Sequence, residues 1–252
     1  MRQQASCGAH TLHGEHLAHE RTFVRACAFD MSLRKSHVRN FTTIKLINKT
    51  MFCSSSRYSI DTPLIYTYHM NVYDFDGTLY MGDSTRDFTL WCMRRYPRVA
   101  LTMPRTGIAA LRCFGTHSID KTAFKGVLYR FLKHVPYIEA ELELFWRTHE
   151  RKISGPCHAQ PGDLVISASP VFLLQGPCTA RRLELIASEV DPYTGETLGP
   201  NCSNEEKVVR FRELYPDAEI DDFYSDSHND DPLAQMAKRA FLVRGGALQP
   251  WK

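Results

Sequence analysis

Long hydrophobic runs are absent from this sequence. Its longest largely apolar stretch, residues 164–174, still contains two serines and a proline. A membrane-spanning helix needs roughly 18 or more apolar residues, so we expect no stable insertion into a membrane. The sequence also has no CxxC pair among its eight cysteines, which argues against zinc and redox motifs. We therefore expect reduced cysteines and a cytoplasmic protein.

Acidic residues are scarce at the start of the chain. Residues 1–69 contain nine Lys and Arg against four Asp and Glu, but without interleaved aromatic residues or a binding motif, so we expect no nucleic-acid partner. Four histidines recur every third residue, at His10, His13, His16 and His19. On a helix, each step of three residues drifts by roughly 60° around the axis, so these side chains cannot bind one metal ion from a shared face. The segment has no sustained periodicity, and we predict a disordered extension.

The pattern changes at Met70, and two hypotheses for the preceding segment stay open. Translation starts at Met70, or residues 1–69 include a targeting segment that is removed. From Met70 onward, apolar runs suited to buried strands alternate with helical patterns. The candidate strands are residues 71–75, 163–167, 184–188, 219–224 and 240–243. This alternation predicts an α/β fold with a Rossmann-like parallel sheet and helices on both faces.

About 90 residues separate the first two candidate strands, which is far more than a simple crossover needs. Residues 121–133 and 138–151 in this gap have helical patterns, so we expect an inserted helical cap. The predicted domains are a core of residues 70–85 and 160–252 and a cap of residues 86–159.

Two carboxylates stand at the end of the first strand, in the sequence Asp74-Phe75-Asp76-Gly77-Thr78. Residues separated by one position project from the same side of a strand. Open α/β sheets bind ligands at the carboxyl ends of their strands. The mutual repulsion of Asp74 and Asp76 calls for a cation or a proton, and Mg²⁺ prefers oxygen ligands.

Two later segments offer groups that bind anions. The second strand runs into Ser167-Ala168-Ser169-Pro170, where we expect Ser169 to cap the following helix and Ser167 to bind phosphate. Gly176 and Pro177 are expected to interrupt that helix. Ser203 to Glu206 has the spacing of a capping box. Lys207 then falls in the first helical turn, where a cation opposes the helix dipole, which suggests that it meets a phosphate.

The fourth candidate strand also ends in acidic residues. Asp226 and Asp230 lie four residues apart in a loop that would be self-repelling without a cation. Together with the first strand, this loop predicts a metal site at one edge of the sheet.

These four elements, in this order, resemble the haloacid dehalogenase superfamily, and within it the phosphoserine-phosphatase-like branch (subfamily IB) with a helical cap. The resemblance covers Met70 to about Trp251. It implies a Mg²⁺-dependent phosphatase that acts on a small phosphorylated metabolite through an aspartyl-phosphate. It further implies that Asp74 is the nucleophile and that Asp76 is the general acid and base.

The resemblance also implies the ligand-binding residues. The residues expected to bind the substrate phosphate are Thr78, Ser167 and Lys207. The residues expected at the metal are Asp74, Asp76 through its backbone carbonyl, Asp226, and Asp230, which orients the metal shell.

The sequence departs from phosphoserine phosphatases at two motifs. Ser167-Ala168-Ser169 stands where they commonly have Ser-Gly-Gly, and Ser225-Asp226-Ser227 where they usually have Gly-Asp-Gly. Three alternatives therefore stay open: a phosphatase of a phospholipid precursor, a phosphotransferase to an alcohol acceptor, and a non-catalytic module that binds a phosphorylated ligand. Residue patterns do not predict the oligomeric state.

Overall fold

Six strands form one sheet in the order β3-β2-β1-β4-β5-β6. The computed structural model describes residues 68–252, so the predicted extension lies outside the described residues except for residues 68 and 69. The strands are β1 (Tyr68–Tyr73), β2 (Leu164–Pro170), β3 (Glu184–Ser188), β4 (Ala218–Ser225), β5 (Ala237–Arg244) and β6 (Ala247–Pro250). β1 to β5 are parallel, and β6 pairs antiparallel with β5. The predicted parallel sheet is confirmed, and β6 is an addition to it.

Eight α-helices connect or follow these strands in the described part of the chain. They are α1 (Ser84–Arg95), α2 (Pro97–Ala100), α3 (Met103–Ala110), α4 (Lys121–Leu128), α5 (Ile138–His149), α6 (Val171–Ala180), α7 (Glu205–Leu214) and α8 (Asp231–Ala234). Short helical turns occur at Leu111–Gly115, Tyr129–His134, Glu150–Lys152 and His228–Asp230. None of the helices in residues 68–252 is long and apolar enough to cross a membrane.

Alternating side chains in the central strands divide the core between the two faces of the sheet. Tyr73 and Val165 belong to one buried cluster, whereas Val72, Leu164 and Ile166 belong to the other. This is the period-two alternation of a strand that is buried on both sides. The first cluster also takes side chains from α1, α5 and α6, and the second takes them from α7 and α8. Helices therefore cover both faces, as the sequence predicts.

The segment between β1 and β2 is helical, with α1 to α5 in it. Phe88 and Phe145 from this segment share a buried cluster with Phe75 and Leu173, which flank the sheet. The indole of Trp146 donates a hydrogen bond to the Leu173 carbonyl at 2.8 Å. The segment is thus packed directly onto one face of the sheet, and its role as a cap stays a prediction.

The strand order places a crevice at the carboxyl ends of β1 and β4. The chain leaves β1 to form β2 and β3 on one side and returns to form β4 and β5 on the other. The connections on either side of β1 therefore run in opposite directions. In open α/β sheets, a ligand-binding crevice lies at the point where the connections reverse in this way. The predicted acidic residues follow β1 and β4.

Candidate active site

The turn after β1 brings the first acidic motif to the edge of the sheet. The backbone amide of Asp74 donates to the Tyr224 carbonyl in β4 at 2.8 Å, so the chain stays paired up to the first aspartate. It then turns at Gly77, which has a φ of +73°. A Cβ atom at Gly77 would clash with the Asp226 carboxylate. Glycine is therefore required both by the turn and by the close approach of Asp226.

Lys207 joins the two acidic motifs. Its ammonium group donates to Asp74 at 3.0 Å and to Asp230 at 2.8 Å, and its side chain is almost completely buried. Burial opposes the charge of Lys207, but attraction to the two carboxylates outweighs it and raises the pKa of this lysine. Ser225 donates a further hydrogen bond to Asp230 at 2.7 Å. The predicted position of Lys207 in the first turn of its helix is confirmed.

Burial and ion pairing act in opposite directions on Asp74. Burial raises the pKa of Asp74 to about 7, against the lowering effect of Lys207. The direct contact with a charged lysine indicates which form is present: a neutral Asp74 would leave part of that buried charge unpaired. We therefore treat Asp74 as a carboxylate with one oxygen, Oδ1, held by Lys207.

Asp76 is held by donors from two other elements. The backbone amide of Ser84 donates to it at 2.7 Å, and the Ser169 hydroxyl donates to its second oxygen. Burial raises the pKa of Asp76 to about 6, and the hydrogen bonds from Ser169 and Ser84 oppose that rise. A carboxyl group with a pKa near neutrality suits proton transfer in both directions.

The structure corrects the expected role of Ser169. β2 continues through Pro170 and the helix begins only at Val171, so Ser169 does not cap it. Its backbone amide donates to the Ser167 hydroxyl at 3.1 Å. The sequence indicates that Ser167 and Ser169 act together, because two residues separated by one position in a strand project from the same side.

Two further polar residues near the site, Thr78 and Lys125, differ in their hydrogen bonding. The Thr78 hydroxyl is fully buried and has no hydrogen-bond partner among the described residues. Such orphaned groups are rare, and a ligand oxygen is one way to satisfy them. Lys125 from α4 donates to the Ala168 carbonyl, between the two serines. Burial lowers the pKa of Lys125 to about 8. No sequence pattern pointed to Lys125.

The donor set at this edge fits a magnesium ion. In residues 68–252, no three side chains of His, Cys, Asp or Glu form a metal-ligating group. Asp226, however, lies against the backbone that follows Asp76. Mg²⁺ typically takes one or two protein carboxylates and keeps several waters. The carboxylates of Asp74 and Asp226 and the backbone carbonyl of Asp76 would therefore be enough protein ligands for the ion. The side chains of Asp76 and Asp230 instead accept hydrogen bonds from Ser169 and Lys207.

Comparison with known proteins identifies the family. The model of the haloacid dehalogenase-like hydrolases matches residues 72–235, which include both acidic motifs and the segments between them. The chain belongs to this family. The match confirms the family that the sequence resembles and the fold expected from it.

Comparison with solved structures finds matches over most of the described residues. A protein of unknown function from Bordetella pertussis Tohama I is 22% identical, with a TM-score of 0.54, over 69% of this chain and 89% of that one. A probable phosphoserine phosphatase from Vibrio cholerae is 13% identical, with a TM-score of 0.49, over 71% of this chain and 56% of that one. None of the curated proteins matches the chain. At 22% identity, the likeness to the Bordetella protein concerns the fold alone.

Proposed function

We propose that this protein is a Mg²⁺-dependent phosphatase that hydrolyses a small phosphate monoester through an aspartyl-phosphate on Asp74. The observation that supports this most directly is the buried lysine between Asp74 and Asp230. It places a fixed positive charge beside a carboxylate at the carboxyl ends of two parallel strands. Phosphoryl transfer depends mainly on such positioning and charge neutralisation.

In the first step, an oxygen of Asp74 attacks phosphorus and the bond from phosphorus to the ester oxygen breaks. Asp76 gives its proton to the departing oxygen, which leaves as an alcohol. Lys207 holds the other oxygen of Asp74 and meets the negative charge of the phosphoryl group. Ser167 and Thr78 are the proposed hydroxyl donors to that group.

In the second step, Asp76 takes a proton from a water molecule, whose oxygen attacks phosphorus. The bond between phosphorus and Asp74 breaks, which restores the carboxylate and releases inorganic phosphate. Dividing hydrolysis in this way replaces one difficult step by two easier ones. The raised pKa of Asp76 allows it to serve as acid and then as base near neutral pH.

Asp74, Asp226 and the backbone carbonyl of Asp76 would hold the magnesium ion. When bound, the ion would neutralise part of the negative charge shared by the carboxylate and the phosphate. Asp230 fixes Lys207 and thereby the distance between that lysine and Asp74.

The Asp74→Asn variant tests the nucleophile. An amide is a much weaker nucleophile than a carboxylate, so we expect turnover of phosphate monoesters to be abolished while the circular dichroism spectrum is unchanged. Asp217→Asn, at an exposed position beyond α7, is the matched control and should retain activity.

The intermediate is tested by quenching the wild-type reaction in acid and analysing the peptides by mass spectrometry. We expect a phosphoryl group on the peptide that contains Asp74. Substantial turnover by Asp74→Asn, or a phosphoryl group on a different residue, would refute the proposal. Analysis of the products with an added alcohol shows whether water or the alcohol receives the phosphoryl group.

A further inference from the structure

The helical segment that follows α2 exposes one side that is strongly apolar. α3 continues directly into the turn Leu111–Gly115. Ala109 and Cys113 are buried on its inner side. The large side chains that it leaves exposed are Leu101, Ile108, Leu111 and Phe114. Four large apolar side chains exposed within 14 residues of helical chain are typical of an interaction surface rather than of scattered surface residues.

The charged residues within this segment of the chain all have the same sign. No Asp or Glu occurs between Asp87 and Asp120, whereas that interval contains five arginines. Arg98, Arg105 and Arg112 recur every seventh residue, which places Arg105 and Arg112 on the same side of the helical segment. All three are exposed and have no acidic partner among the described residues. Their charges are therefore free to meet an external anion.

We propose that this surface docks on an anionic lipid bilayer. We call it the basic apolar face and define it by the residues Leu101, Ile108, Leu111, Phe114, Arg98, Arg105 and Arg112. A helix with a large apolar side and flanking arginines lies in the plane of the membrane interface, with its apolar side chains at the boundary between headgroups and acyl chains. Arginines near the surface add electrostatic attraction to anionic headgroups. The chain would lie on the membrane and would not cross it.

The charge pattern favours a bilayer over the two other obvious occupants. A symmetric contact with a second copy would bring the same patch against itself and set arginines beside arginines without an acidic residue to pair them. A nucleic acid would satisfy the arginines, but its interfaces are polar and would leave the apolar centre of this face without a matching surface. The inference rests on this surface alone and is independent of the chemistry proposed for Asp74.

Vesicle binding by the full chain tests the inference. We would measure co-sedimentation with vesicles of phosphatidylcholine alone and with vesicles of phosphatidylcholine and phosphatidylglycerol in equal parts. We expect binding to the anionic vesicles only, and we expect high salt to weaken it. Arg105→Gln/Arg112→Gln and Ile108→Ser/Leu111→Ser should each reduce binding at least about tenfold.

A matched control separates this surface from general hydrophobicity. Leu198 and Leu214 are 63% and 60% exposed, close to the 62% and 65% of Ile108 and Leu111. Leu198→Ser/Leu214→Ser should therefore bind vesicles like the wild type. As a second readout, Ile108→Trp should be quenched by lipids with brominated acyl chains, whereas Leu198→Trp should not.

Three results would overturn the inference. The first is failure of the wild-type chain to bind anionic vesicles. The second is self-association in sedimentation equilibrium that Ile108→Ser/Leu111→Ser abolishes, because the face would then belong to a second copy. The third is binding to duplex DNA that competes with the vesicles and is lost in Arg105→Gln/Arg112→Gln.

Discussion

Lys207 contributes both to stability and to charge balance at the site. Its ammonium group is buried and makes two ion pairs, with Asp74 and Asp230. Desolvating an ion is costly, so the interaction is favourable only while both partners are present. Removal of the lysine leaves two carboxylates facing each other in a buried site. The same residue therefore supports both the fold and the proposed chemistry.

We expect Lys207→Met to destabilise the protein by about 3–5 kcal/mol because it leaves buried carboxylates unpaired. Urea unfolding at neutral pH measures the loss, and phosphatase assays should show no turnover. Lys238→Met is the control, since Lys238 pairs with Glu219 and Asp221 at the surface and should matter much less. Equal losses of stability in the two variants would contradict the importance that we assign to the buried pair.

Ser169 is expected to position the general acid. Its hydroxyl donates to Asp76 and contacts Thr85 Oγ1 at 3.0 Å, so it links Asp76 to α1. In Ser169→Ala, Asp76 loses one of its two fixed donors. We expect kcat/KM to fall at least about tenfold for alkyl phosphates, whose leaving groups need a proton. For p-nitrophenyl phosphate, whose leaving group is stable as an anion, the fall should be much smaller.

Two further variants distinguish positioning from general damage. Ser169→Thr retains the hydroxyl and should recover part of the activity towards alkyl phosphates. Thr89→Val removes a buried hydroxyl that donates to the Thr85 carbonyl, and it should leave the ratio between the two substrates unchanged. Equal losses on both substrates in Ser169→Ala would exclude a role in protonating the leaving group.

At the scale of elements, a buried carboxylate joins two helices of the inserted segment. Glu141 in α5 accepts hydrogen bonds from Trp91 at 3.0 Å and Tyr96 at 2.8 Å, and it pairs with Arg95 at 2.7 Å. Burial alone would raise the pKa of Glu141, but these donors together lower it. One side chain thus holds the end of α1 against α5.

We expect Glu141→Gln to destabilise the protein by about 1–3 kcal/mol at pH 7, because donors arranged for a carboxylate lose part of their partner. The pKa of Glu141 is lower in the folded state than its usual value of 4.5. Its contribution is therefore fully present above pH 4.5 and is lost as the pH falls through the lower folded value. Urea unfolding should show the difference between the two proteins shrinking below pH 4.5. A difference independent of pH would contradict this account.

The helical segments 121–133 and 138–151 were predicted correctly, but signals for where helices begin and end were less dependable than strand signals. The capping box at Ser203 to Glu206 was wrong: Asn204 occupies the capping position with a φ of +54°, and no side chain caps the helix. Gly176 and Pro177 do not interrupt α6, which runs from Val171 to Ala180. In α6, tertiary packing overrides the local rule, since Leu173 and Leu174 are buried against the sheet.

At the scale of the whole molecule, the site is assembled from segments far apart in sequence. Lys207 lies 133 residues after Asp74, yet their side chains are 3.0 Å apart. β1 lies between β2 and β4, so the ends of these strands deliver Asp74, Ser167 and Asp226 to one edge of the sheet. A metal ion bound there would couple to the stability of the whole fold, because the unfolded chain cannot present these groups together.

We expect Mg²⁺ to raise the melting temperature of the wild-type protein. A ligand at 100 times its dissociation constant stabilises the folded state by about 2.7 kcal/mol. In Asp226→Asn this increase should disappear, whereas Asp217→Asn should retain it. Sodium chloride at equal ionic strength controls for screening. A chelator should abolish phosphatase activity, and excess Mg²⁺ should restore it. A melting temperature that does not respond to Mg²⁺ would contradict the proposed metal site.

The amino-acid sequence by itself determined the family and the parallel sheet, and it located the acidic residues for which we propose phosphate chemistry. Strands that are buried on both faces leave continuous apolar runs, and β3 was predicted with its observed bounds, Glu184–Ser188. The acidic motifs follow such runs directly, so Asp74 and Asp226 could be placed at strand ends. These features depend on neighbouring residues, which a sequence displays.

Only the tertiary structure decided which groups meet. The hydrogen bond from Ser169 to Asp76, the reach of Lys125 to the Ala168 carbonyl and the pairing of Lys207 with Asp230 each join residues from different elements. Their partners depend on strand order and helix packing, and local sequence rules do not specify either. β6 was missed for the same reason, because its four exposed residues form a strand only when β5 offers them an edge.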